Sequence, residues 1–94
     1  MRKYEAMFIF YPSEEEKRTQ VMDRFKNIIT EAEGTIANID EWGVRKLAYL
    51  IDDIGEGYYV LMHYEGTPEI TKELDRVARI SDSLMRHMII REDE

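Results

Sequence analysis

The alternation of strand-like and helix-like stretches predicts an α+β fold of the form βαββαβ, a four-stranded antiparallel sheet with two helices on one face. Three observations carry this expectation. Four runs rich in aromatic and branched residues have strand character, two other stretches repeat apolar residues at helical spacing, and a turn-rich segment joins the middle strands as a hairpin. At 94 residues the chain is expected to form one domain, 1–94, with a short acidic tail at about 91–94.

The first strand is read as Tyr4 to Tyr11. Its alternation puts Ala6, Phe8 and Phe10 on one face and Met7, Ile9 and Tyr11 on the other, so both faces call for cover: helices on one, a partner on the other. Pro12 ends it. Ser13-Glu14-Glu15-Glu16 then reads as a capping box, in which Ser13 and Glu16 satisfy each other's amides. Val21, Met22, Phe25, Ile28, Ile29 and Ala32 form the stripe of the first helix, and Gly34 is placed to terminate it.

A second strand runs from Thr35 to about Ile51, long enough that Trp42-Gly43 is read as a bend or bulge. Within it Leu47, Tyr49 and Ile51 share a parity with Arg45, while Lys46, Ala48 and Leu50 share the other. Asp52 to Gly57 is read as a turn made flexible by Gly55 and Gly57, and Tyr58 to Glu65 as the returning strand. Thr67 and Pro68 open a second helix with buried positions Ile70, Leu74, Val77 and Ala78. Ser81-Asp82-Ser83 breaks it, and Leu84 to Arg91 is the last strand. Two helices over one face of such a sheet make the fold ferredoxin-like, with the second face open.

The formal net charge is -7, which argues against indiscriminate nucleic-acid binding. The charges are unevenly placed, however. Acids crowd into Glu14-Glu15-Glu16, Asp40-Glu41, Asp52-Asp53 and the C-terminal end, whereas Arg2, Lys3, Arg45, Lys46, Arg86 and Arg91 lie in or beside strands. The adjacent pair Arg45-Lys46, set into an otherwise buriable run beside the only tryptophan, has two readings: phosphate contact, or protection of a sheet edge.

No cysteine is present, which excludes disulfides and thiolate metal sites. His63 and His87 lie in different strands without metal-ligand spacing, so packing or surface roles are assigned to them and no metal site is expected. Ser13, Ser81 and Ser83 sit at a cap and a turn, no nucleophile elbow occurs, and Gly55-Glu56-Gly57 lacks the rest of a phosphate loop. An enzyme, a cofactor and a small-molecule substrate are therefore not expected. The N-terminal stretch lacks the apolar core of a secretory signal and no run reaches transmembrane length, which points to the cytoplasm and away from membranes. The open sheet face resembles the RNA-recognition motif only in outline: the third strand lacks that motif's basic, glycine and phenylalanine pattern, and Tyr58 or Tyr59 is a base-stacking candidate set against core packing.

Trp42-Gly43-Val44-Arg45-Lys46-Leu47-Ala48-Tyr49-Leu50-Ile51, followed after a turn by Gly57-Tyr58-Tyr59, closely resembles the bacterial small-subunit ribosomal protein S-six (S6) family. The opening Met1-Arg2-Lys3-Tyr4-Glu5 and the closing Arg79-Ile80-Ser81-Asp82 with Arg86 resemble it too, so the likeness spans nearly the whole chain. Leu50 stands where the family often has proline, and Ser81 and Met85 where more polar or basic residues are expected. The resemblance implies a non-catalytic ribosomal protein that binds the central domain of 16S rRNA beside a second protein, S-eighteen (S18). By position it implies that Arg2, Lys3, Arg45, Lys46, Arg86 and Arg91 face RNA, with Arg79 a weaker member, and that Met7, Ile9 and Tyr11 meet the partner. The rival from another class is a ligand-sensing or self-associating module that dimerises through its open sheet face, with a small oligomeric enzyme of the same topology third.

Overall fold

A strand that is apolar on both sides belongs in the interior of a sheet, and β1 (Arg2–Phe10) lies there. The computed structural model describes residues 1–92. It contains β1, α1 (Glu15–Glu31), β2 (Thr35–Ile51), β3 (Ile54–Gly66), α2 (Pro68–Arg79) and β4 (Leu84–Arg91). The four strands form one antiparallel sheet in the order β2-β3-β1-β4, the ferredoxin-like arrangement. Of the expected acidic tail, Arg91 ends β4 and the Glu92 amide donates to the Lys3 carbonyl at 2.9 Å; Asp93 and Glu94 lie outside the described residues.

The core lies between the helices and one sheet face. Ala6, Phe8 and Phe10 from β1 and Val60, Met62 and Tyr64 from β3 meet Phe25 and Ile29 of α1 and Ile70, Leu74 and Val77 of α2, all buried. Phe8 stacks on Phe25 with ring centres 4.5 Å apart, and Tyr4 on Tyr64 at 5.2 Å. The α2 stripe is buried as its spacing requires, and Thr67 caps the helix by accepting from the Ile70 amide at 3.4 Å.

Several local expectations are corrected. The capping box at Ser13 and Glu16 does not form: α1 begins at Glu15, its N-cap is Glu14, and no side chain caps it. The Glu14 amide closes a turn onto the Tyr11 carbonyl at 3.4 Å, so Ser13 is spent in that turn, one residue before the helix entrance. At the other end the left-handed residue is Glu33, at φ 65°, rather than Gly34. The Glu33 amide donates to Thr30 and the Gly34 amide to Ile29, the paired bonds of a Schellman motif. Gly34 is required for space instead, since a Cβ there would lie 2.8 Å from the Glu65 carbonyl oxygen.

The β2–β3 turn is also shorter than expected. Asp52 and Asp53 alone form it, at φ 52° and 63°, with Ile51 and Ile54 paired across it. Two successive positive φ values are what a tight hairpin turn requires, and aspartate tolerates them better than most residues. Gly55 and Gly57 therefore lie inside β3. A Cβ on Gly57 would run into Cγ2 of Ile9, so this glycine is a packing requirement and not a hinge.

The bend anticipated at Trp42-Gly43 is present. The register shifts between Glu41 and Gly43, leaving Trp42 as the extra residue, and Gly43 has φ 81°. Beyond it β2 is not the buriable run its composition suggests: Val44, Tyr49 and Leu50 are exposed and only Leu47 and Ile51 are half-buried. An edge strand that outruns the helices has nothing above it to bury against.

Candidate nucleic-acid interface

Directly paired residues on neighbouring strands share a sheet face, so the register defines the surface opposite the helices. Met7 pairs with Leu61 and Met88; Ile9 pairs with Tyr59 and Arg86; Glu5 pairs with His63 and Ile90. The face is thus an apolar band of Met7, Leu61, Met88 and Ile90, with Tyr59 and Arg86 toward the end where β1 finishes. Met88 and Ile90 are 54% and 47% exposed, which is high for residues of this kind within a sheet.

The bulge in β2 turns Trp42 toward this same face. Its ring stacks on Tyr59 with centres 6.2 Å apart and planes 10° from parallel, and it remains 42% exposed. The Arg45 guanidinium lies 5.7 Å from the Trp42 ring centre, and its Nε donates to the Trp42 carbonyl at 3.4 Å. Arg86 lines the same depression as Ile9 and Tyr59. Two stacked aromatic rings with two guanidiniums at their margin form a surface suited to phosphate and to an unstacked base.

Tyr58 is the neighbour that this surface does not use. It faces the helices, where the Arg18 guanidinium lies 3.6 Å above its ring and its hydroxyl donates to Glu41 at 2.9 Å. Burial, and then that carboxylate, raise the Tyr58 pKa above the usual phenol value. Of the two tyrosines considered for base stacking, only Tyr59 is on the open side.

The cations named from the sequence do not form one strip. Arg45 and Arg86 share the open face at one end. Lys3 pairs with Glu65 on the same face, but six residues along β1 from Ile9, on the order of 20 Å away. Arg2 and Arg91, paired in register with Gly66 and Tyr4, follow the helix-side parity at that far end. Lys46 pairs with Glu56 and has the opposite parity to Arg45. Arg79, at the end of α2, is 2.8 Å from Asp75 and belongs to the helical layer.

The apolar residues assigned to a partner divide likewise. Met7 is half-buried on the open face. Ile9 is only 9% exposed, because Gly57 and the β2 arm already press against it. Tyr11 lies beyond the end of β1 and its hydroxyl donates to Asp52 at 2.7 Å, an interaction that raises the phenol's pKa. Sequence reasoning missed Trp42, Met88 and Ile90 as members of this surface. Met88 and Ile90 were legible from the alternation of β4, whereas Trp42 depends on a bulge whose handedness no residue pattern states.

The family described as Ribosomal protein S6 matches this chain over residues 3–91. The chain belongs to the ribosomal protein S6 family. It is 50% identical over 95 residues to the small ribosomal subunit protein bS6 of Caldanaerobacter subterraneus subsp. tengcongensis, and 53% identical over 95 residues to that of Thermoanaerobacter pseudethanolicus, covering 100% of both chains in each case. The crystal structure of the 30S ribosomal protein S6 from Thermotoga maritima superposes with a TM-score of 0.87 at 33% identity, covering 97% of this chain and 87% of that one. As an S6 protein the chain is a structural component of the small ribosomal subunit and not an enzyme. Among the described residues, no helix is long and apolar enough to cross a membrane.

Proposed function

We propose that this S6 chain binds the central domain of 16S rRNA together with S18, in the small subunit of the cytoplasmic ribosome, and acts as a single domain without catalytic cofactor or small-molecule substrate. The observation that carries the reading is the juxtaposition, on the one sheet face left bare by the helices, of an apolar band with the Trp42–Tyr59 stack, Arg45 and Arg86. A chain of net charge -7 can approach phosphate only where its cations are locally concentrated and a more basic partner adds to them. Arg45 and Arg86 position the RNA through its backbone from the open face at one end, and Lys46 does so from the other side of the same edge strand. Lys3 on the open face, with Arg2 and Arg91 on the helix side, contributes at the far end, and Arg79 is peripheral. Met7 belongs to the partner-facing band, with Ile9 packed beside it on the same face and Tyr11 at its margin.

The test is affinity for a central-domain rRNA fragment with S18 present. Arg45→Glu combined with Lys46→Glu is expected to weaken binding by roughly tenfold or more, since two favourable phosphate contacts become repulsive. Unchanged affinity would remove this end of the sheet from the interface. Sedimentation of the protein alone separates the rival reading: a tight homodimer would assign the apolar band to self-association.

A further inference from the structure

A histidine and two carboxylates, from β1, β3 and the residue following β4, meet on the open face, at the end away from Trp42. Glu5 of β1 stands directly across from His63 of β3. Glu92, immediately past β4, is anchored by its amide to the Lys3 carbonyl at 2.9 Å, and its carboxylate reaches over β1 to hydrogen-bond Nδ1 of His63. One ligand atom from each of the three lies within 4.8 Å of the other two. No linear spacing reveals this group, because Glu5, His63 and Glu92 are brought together only by sheet register.

We propose that Glu5, His63 and Glu92 form a binding site for a divalent transition-metal cation of the zinc class. One imidazole nitrogen with two carboxylate oxygens is a donor set that such ions accept, leaving a fourth position for water. Calcium and magnesium are disfavoured by the nitrogen ligand and by the small number of oxygens. Metal–ligand bonds near 2.0–2.2 Å place donor atoms roughly 3–3.5 Å from one another, so Glu92 would give up its hydrogen bond to His63 and Glu5 would close in, adjustments that rotation of the two glutamate side chains can supply. His63 and Glu92 have side chains 28% and 31% exposed, so an ion can enter while the strands hold the ligand backbones in place. The bound cation would offset the charges of Glu5 and Glu92 and link β1 and β3 to the end of β4. The second histidine is different: His87 is on the helix side, 2.7 Å from Asp75, with no third ligand gathered around it among the described residues.

The experiment is thermal unfolding of tag-free protein with and without added Zn²⁺, paired with Co²⁺ absorption as a report on coordination. Neither readout involves RNA or S18, so the result is independent of the ribosomal reading. Zinc is expected to raise Tm by several degrees at saturation, an effect lost in His63→Gln and in Glu92→Gln and kept in His87→Gln. Circular dichroism establishes that each variant is folded, and Glu92→Gln, beyond the last strand, keeps the test open if His63→Gln is not. No Tm rise in the unsubstituted protein, an equal rise in His63→Gln or Glu92→Gln, or loss of the rise in His87→Gln would each overturn the site.

Discussion

Tyr64 concentrates much of the physics of this core in one hydroxyl. The ring is 1% exposed and stacked on Tyr4, and the hydroxyl oxygen lies 2.7 Å from Thr71 Oγ1. Burial disfavours the phenolate and pushes the Tyr64 pKa up to about 12, against 10.0 for a free phenol. A folded-state pKa above the unfolded value means that the unfolded chain loses its proton first. The associated stability is therefore intact below about pH 10 and is lost as the pH rises from 10 toward 12. The loss from this group should be on the order of 2–3 kcal/mol. Tyr64→Phe should cost about 1 kcal/mol at neutral pH, through the hydrogen bond to Thr71, and should flatten the alkaline decline. Denaturant unfolding at intervals between pH 7 and 12 measures both effects; an equally steep decline in the phenylalanine variant would contradict the assignment to Tyr64.

At the level of elements, the two helix starts make a controlled comparison. Ser13 and Thr67 are both residues favoured as caps, yet only Thr67 accepts a bond from its helix. Thr67→Ala should therefore destabilise the fold by about 1 kcal/mol, whereas Ser13→Ala should fall within about 0.5 kcal/mol of the unsubstituted protein. Chemical denaturation midpoints decide the matter, and equal costs would refute the two cap assignments. The same contrast explains what was legible in the sequence. The six elements and their order follow from hydrophobic period, and the buried stripe of α2 follows position by position. Helix and turn boundaries do not, because Ser13 and Asp52-Asp53 are settled by which backbone amides find a carbonyl, and composition does not specify that. Gly34 reads as a helix terminator and Gly57 as a flexible point in the sequence, but both are close-packing requirements of neighbours distant along the chain, Glu65 and Ile9.

For the whole molecule, what the sequence left open is how the cations are shared among faces. Arg2, Lys3, Arg45, Lys46, Arg86 and Arg91 are all strand or strand-flanking residues, but register sends them to two ends and two sides of the sheet. Three register shifts in β2, near Asn38, at Trp42 and between Lys46 and Ile51, break the simple alternation from which a side might have been assigned. The apolar band between the two ends is more legible: β1 is apolar on both faces, so its sequence alone implies a second cover beyond the helices. The open face of this S6 protein is a partly apolar, partly cationic surface on a chain whose average charge is unfavourable for RNA. Such a surface carries a specific electrostatic signature. Affinity for the central-domain rRNA fragment in the presence of S18, measured as a function of salt, should fall steeply and linearly on logarithmic axes. Replacing both Arg45 and Lys46 with alanine should make that slope shallower by about two. A slope identical to that of the unsubstituted protein would contradict the claim that this end of the sheet meets the phosphate backbone.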